Sequence, residues 1–140
     1  MSKKSGKIAA LIESFRGRQL DAHYLGYFAC FNQGLYYEAH DVLEEMWLPV
    51  RREAAGDFYK GLIQLAGAFV HLQKNRLRPA AALFKLAQAN LKKYPAPPAP
   101  LDVAAAQMLI TDWLSRLEQT SFTVNPLKRD SAPVLPVPAD

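Results

Sequence analysis

Residues 31–47 have the sequence FNQGLYYEAHDVLEEMW. The pair Gln33-Gly34 breaks a helical pattern, because glycine supplies the backbone conformations that turns require. After the break, apolar side chains return with helical spacing. They are Ala39, Val42, Leu43, Met46 and Val50. The helix itself is expected to end before Pro49, since the residue before a proline is disfavoured in a helix. The stretch therefore predicts one helix that ends near Asn32 and another from Tyr36 to Trp47 or Leu48.

The same periodicity extends over most of the chain and predicts further helices. Three further helices have predicted bounds: about Leu20–Asn32, Ala54 or Asp57 to Lys74, and Pro79 to about Tyr94. Another helix is predicted to begin after Asp102, and a weaker helical segment covers Lys7–Phe15. Asn75 is expected to close a helix in the left-handed conformation, Pro79 to open the next one at its first position, and Asp102 to cap the last. No run of alternating β-branched residues predicts a sheet. We expect an all-α bundle of about five main helices, in two helical hairpins plus a C-terminal closing helix.

Proline and charge divide the chain into three parts. Residues 1–18 hold five basic residues against Glu13 and form a basic N-terminal arm or short helix, whereas residues 19–122 form a neutral helical-bundle domain. Residues 123–140 form a Pro-rich C-terminal tail, extended because proline opposes a helix. Three apolar residues could anchor the tail in a groove. They are Val134, Leu135 and Val137.

Composition excludes several classes of protein. The chain has 140 residues, of which 50% are hydrophobic and 21% charged, as in one globular domain. Its single cysteine, Cys30, excludes an internal disulfide framework and a Cys-rich zinc site, and we expect it in the core. No segment approaches the roughly 18 apolar residues of a membrane span, and residues 1–15 lack the pattern of a signal peptide. We therefore expect a cytoplasmic protein with no membrane partner.

The helix that begins at Tyr36 has a strip of polar and aromatic residues beside its apolar stripe. His40, Glu44 and Trp47 share this strip with Tyr36 and Tyr37. The spacing of four residues brings the imidazole of His40 within reach of the Glu44 carboxylate. Glu38, Asp41 and Glu45 are predicted on the solvent side.

The helix that ends near Lys74 is apolar over most of its circumference, with a narrow stripe of polar or small residues. This stripe contains Asp57, Lys60, Gly61, Gln64, Gly67, Ala68 and His71. Glycine costs about 1 kcal/mol relative to alanine inside a helix, so Gly61 and Gly67 indicate close approach of a helix or ligand. Buried polar groups need partners. We therefore expect His40, Glu44, Gln64 and His71 to converge, with Lys60, Tyr36 and Tyr37 at the rim.

Three interpretations of this cluster remain open. It can be a structural hydrogen-bond network that orients two helices. It can be a pocket for a small ligand or peptide, with Trp47 and the tyrosines as walls. It can also hold a divalent metal ion such as zinc or iron, with His40, Glu44 and His71 as ligands. The leading hypothesis is a non-enzymatic binding or interaction module, and the alternative is a metal-dependent hydrolase in which Glu44 is a ligand or general base.

The sequence also gives expectations about partners. Aromatic residues make up 11% of a small domain, which suggests a homo-oligomer through exposed Tyr27, Tyr59 and Trp113. Nucleic-acid binding is not expected, because the basic residues lack a recognition helix or a base-stacking motif.

The two helices with polar strips, taken together, resemble a family of small all-helical proteins known as domain of unknown function 309. The resemblance covers roughly Leu20 to Leu91. It is carried by the sequence from Phe31 to Trp47, by Lys60-Gly61-Leu62-Ile63-Gln64-Leu65-Ala66 and by His71. It implies a helical bundle and cytoplasmic residence, and it implies no established activity. The family motif includes Asn32, Glu38, His40, Glu44, Glu45, Trp47, Gln64 and His71.

Overall fold

The computed structural model describes residues 6–17 and 20–138, which form six α-helices and no β-strand. The helices are α1 (Gly6–Ser14), α2 (Ala22–Asn32), α3 (Tyr36–Trp47), α4 (Gly56–Gln73), α5 (Leu77–Lys92) and α6 (Val103–Gln119). A single turn of 3₁₀-helix, Leu48–Val50, contains Pro49 and links α3 to α4. The all-α prediction is confirmed, and the weak segment near the N-terminus is a complete helix.

Local sequence explains where the helices end. Asn75 has a φ of 56°, the left-handed conformation predicted for it, and the chain leaves α4 there. The side chain of Asp102 accepts a hydrogen bond of 2.9 Å from the backbone N–H of Ala105 and so caps α6. The position of Pro79 was predicted wrongly, because α5 begins at Leu77 and the proline is its third residue. It is tolerated there because the first-turn N–H groups have no partner within a helix.

The core is built around α4, and Phe69 is at its centre. The Phe69 ring contacts Phe31 of α2, Tyr36 of α3, Phe84 of α5 and Trp113 of α6, with ring centroids 4.9–5.5 Å apart. Edge-to-face and stacked aromatic pairs at such distances contribute about 0.5–1.5 kcal/mol each beyond burial. One side chain therefore joins four helices to α4.

The aromatic residues that were expected on an oligomer surface are in the core. Tyr27 is 0%, Trp113 3% and Tyr59 8% exposed, so the prediction that these three rings are exposed was wrong. Tyrosine can be buried when its hydroxyl finds a partner. The hydroxyl of Tyr27 donates a hydrogen bond of 2.6 Å to the carbonyl oxygen of Leu62 on α4.

The N-terminal segment packs onto the bundle where it is described. Ile8 and Ile12 of α1 are buried, while Lys7 is exposed. Apolar spacing of four residues gives α1 one buried face, and this face packs on α2. The basic residues Lys3, Lys4 and Arg18 lie outside the described residues.

The Pro-rich tail returns to α2 without regular structure. Leu135 is 1% exposed, and Asn32 holds it with two hydrogen bonds. The Asn32 amide donates to the carbonyl oxygen of Leu135 at 2.9 Å, and the backbone N–H of Leu135 donates to the Asn32 side-chain oxygen at 2.7 Å. Val134 and Val137 are exposed, so only one of the three predicted anchors is buried.

Two observations bear on the classes excluded from composition. Cys30 is fully buried, as predicted, and burial followed by the charge of Glu38 raises its pKa to about 11. Such a thiol stays protonated and is a poor nucleophile. Among the described residues, no helix is both long and apolar enough to cross a membrane.

Leu135→Ala is expected to release the tail, because Leu135 is the buried side chain beside the Asn32 hydrogen bonds and large-to-small changes at buried leucines cost about 2–5 kcal/mol. Amide hydrogen exchange of residues 123–138 is expected to accelerate while exchange in α4 is unchanged. Val134→Ala is the control, since its side chain is exposed. Equal protection of the tail in both variants would contradict this assignment.

Candidate functional site

A cavity of about 200 Å³ lies between α3, α4 and α5. Its lining consists of Tyr37 and His40 from α3, Gly67, Val70 and His71 from α4, Lys74 just after α4, and Leu83 from α5. We call it the imidazole pocket. His40 and His71 both line it, so two of the side chains predicted to converge share one cavity. Gly67 lies between them in sequence, and a Cβ atom there would be 3.9 Å from Cδ2 of His40.

The partner of His40 is Asp41, and the prediction that it pairs with Glu44 was wrong. Nδ1 of His40 is 3.3 Å from the Asp41 carboxylate, whose side chain is 6% exposed. Asp41 was predicted on the solvent side, but α2 and α4 both pack on α3 and cover a wider arc than one apolar stripe. The carboxylate is therefore placed to orient the imidazole through Nδ1.

His71 has an unsatisfied polar atom. Its Nδ1 is buried and has no hydrogen-bond partner in the part of the chain that the structure describes. Burial lowers the pKa of His71 below its ordinary value, and the positive charges of Arg76 and Lys74 lower it further. The imidazole is therefore neutral at pH 7 and carries one donor and one acceptor nitrogen.

Gln64 belongs to a second polar cluster, on the α5 side of α4. The amide of Asn90 donates a hydrogen bond of 2.7 Å to the side-chain oxygen of Gln64. Lys93 donates to the side-chain oxygen of Asn90 at 3.0 Å and to the Asp57 carboxylate at 2.8 Å. The polar stripe of α4 is thus divided. Asp57 and Gln64 have partners on or just after α5, whereas His71 and Gly67 line a cavity with residues of α3.

The remaining predicted site residues do not line the imidazole pocket. Lys60 is exposed, and Glu44 and Trp47 are half-buried. Nε1 of Trp47 is buried without a hydrogen-bond partner among the described residues.

The predicted metal centre is not assembled. In residues 6–17 and 20–138, no three or more His, Cys, Asp and Glu side chains are grouped so that they could hold a metal ion. His40, Glu44 and His71 are all described and do not form such a group, because His40 is paired with Asp41 and Glu44 is outside the pocket. The hydrolase hypothesis loses the ligand set on which it depended.

Two polar residues were missed from the sequence. Asp41 was predicted to face solvent because only one apolar stripe of α3 was assumed to be buried. No pattern in the sequence indicates that it is buried. Asn90 had a detectable signal, because it lies three residues after Ala87 and next to Leu91 on the apolar face of α5, and both neighbours are buried. A polar residue on such a face needs a partner on the facing helix.

A comparison with models of protein families finds one that matches the chain. The model of the family described as "Domain of unknown function (DUF309)" matches residues 24–92. This match confirms the resemblance seen in the sequence, over slightly less than half of the chain. The matched residues run from α2 to the end of α5 and include every residue that lines the imidazole pocket. No curated protein matches the chain. No solved structure matches it.

The lowered pKa of His71 predicts a specific pH dependence. Below pH 6.5 the unfolded chain protonates His71 while the folded protein still keeps it neutral, so the free energy of unfolding should decrease as the pH falls through this range. Urea unfolding at a series of pH values measures the slope. His71→Gln should reduce it, and the His71 ring should titrate below pH 6.5 by NMR. An equal slope in both proteins would contradict the prediction.

Two glycines of α4 should respond oppositely to alanine. A Cβ at Gly67 would enter the pocket 3.2 Å from a terminal methyl of Leu83, which can move. Gly67→Ala should therefore gain up to about 1 kcal/mol of helix stability. A Cβ at Gly61 would be 3.2 Å from Cβ of Asn90 and from two Leu91 atoms, so overpacking of about 1–3 kcal/mol should make Gly61→Ala less stable. Urea unfolding measures both, and the reverse order would contradict the packing argument.

Proposed function

We propose that this protein is a non-catalytic interaction module that receives one side chain of a partner protein in the imidazole pocket. The observation that carries the proposal is that two histidines line one cavity and that one of them, His71, has a buried Nδ1 without a hydrogen-bond partner among the described residues. An unsatisfied buried polar atom costs about 1–3 kcal/mol. A bound group that forms this hydrogen bond recovers that energy, so the free site favours an occupant.

The size and lining of the pocket favour a single side chain. Small-molecule sites usually enclose about 300–1,000 Å³, and this cavity of about 200 Å³ is smaller. Val70 and Leu83 supply apolar walls, while the two imidazoles and Lys74 supply polar atoms. The matching occupant has an apolar stem and one hydrogen-bonding head group.

Tyr37 supports a protein partner in particular. Its side chain is 53% exposed, although it lines the pocket, so most of the ring is available outside the cavity. Tyrosine is enriched among the residues that dominate binding energy at protein interfaces. We propose that α2 with α3 and α4 with α5 are the two helical hairpins that hold this surface.

Capped amino acids test the proposal directly. The probes are the N-acetyl amino-acid amides, titrated into the full chain and followed by ¹H–¹⁵N NMR. Some probes whose side chains end in a polar group should cause saturable shifts at Tyr37, His40, Gly67 and His71. Gly67→Ala should weaken this binding because its methyl group occupies the pocket. Tyr37→Ala should weaken it without a loss of stability, since the ring is exposed.

Gly61→Ala is the matched control for the binding experiment. It adds the same methyl group to the same helix, away from the pocket, and should bind the probes as the wild type does. If no probe saturates, or if Gly67→Ala and Gly61→Ala bind equally, the proposed function is wrong.

A further inference from the structure

A second and larger cavity lies where the Pro-rich tail crosses the ends of two helices. Its volume is about 390 Å³, within the range of small-molecule sites. The turn between α2 and α3 and the end of α4 form one wall, and residues 125–132 of the tail contribute the other. We call it the tail cavity. No residue lines both this cavity and the imidazole pocket, and the tail lies outside the region that matches the family model.

The charged residues that line the tail cavity are both basic. They are Lys128 and Arg129, and both are exposed. None of the ion pairs among the described residues involves either of them. Asp130 follows them in the chain but does not line the cavity. An arginine beside a lysine offers a forked donor and a compact positive charge, the combination that binds carboxylate and phosphate groups.

Tyr36 belongs to the wall that faces these cations. This residue lines the cavity and is 2% exposed, and its hydroxyl is buried without a hydrogen-bond partner among the described residues. Burial raises the pKa of Tyr36 to about 12, so the hydroxyl keeps its proton at neutral pH. Leu35, the N-cap residue of α3, makes no side-chain hydrogen bond that caps this helix.

The end of α4 does not oppose a negative charge strongly. The carbonyl oxygens at a helix C-terminus carry partial negative charge. Here the carbonyl oxygen of Leu72 accepts hydrogen bonds from the backbone of Asn75 and from the side chain of Asn125, and that of His71 accepts one from Arg76. The Asn125 contact also fixes the start of the tail against α4.

We propose that the tail cavity binds a small organic anion, with Lys128 and Arg129 on its carboxylate or phosphate group and the Tyr36 hydroxyl as a further donor. The site needs both parts of the chain, because the region that matches the family model supplies one wall and the tail supplies the cations. It is independent of the imidazole pocket and of any partner that binds there.

Two probes test the proposal on the full chain by ¹H–¹⁵N NMR: succinate, a dicarboxylate, and glycerol 3-phosphate, a phosphate monoester. At least one should cause saturable shifts at Gly34, Gln73 and Asn125. The double variant Lys128→Ala/Arg129→Ala should weaken binding about tenfold or more, because it removes two charge-assisted contacts. Comparison of the two probes identifies the preferred head group.

Lys85→Ala/Lys92→Ala is the matched control, since it removes two exposed cations from the outer face of α5 and leaves the net charge equal to that of the first variant. Its affinity should stay within about twofold of the wild type. Equal weakening in the two double variants, or no saturable binding of either probe, would overturn the proposal. Tyr36→Phe should also weaken binding, and unchanged affinity would remove the hydroxyl from the site.

Discussion

The position of the Phe69 ring at the centre of the core is the constraint on which the other elements depend. Four helices place an aromatic ring against this side chain, and α4 is buried along most of its length. Because protein interiors are close-packed, the helices cannot shift relative to one another without breaking these contacts. The two cavities therefore lie at the edges of a fixed framework, one between α3, α4 and α5 and the other at the helix ends.

Much of the fold could be predicted from the sequence because helix boundaries are encoded locally. The ends of α2 and α3, the left-handed Asn75 and the cap at Asp102 each follow from a few neighbouring residues. The burial of Tyr27, Tyr59 and Trp113 could not be predicted in this way. Amphipathic rings lie equally well on a surface or in a core, and only the tertiary packing decides between these places.

The candidate site was predictable in part for a related reason. Helical spacing predicted that His40 and His71 converge, and in the structure both line one cavity. Spacing could not show that Asp41 is buried beside His40, or that Gln64 turns to Asn90 on another helix. The partner of a polar side chain depends on how far each helix is covered by its neighbours. A single helical wheel does not contain that information.

The two hydrogen bonds between Asn32 and Leu135 join residues that are far apart in the sequence. During synthesis on the ribosome, residue 135 is made after all six helices. Contacts of such long sequence separation form late, since loop closure must precede them. The helical framework and the imidazole pocket can therefore exist in a nascent chain that still lacks the tail cavity, so the proposed anion site would mature after the framework that supports it.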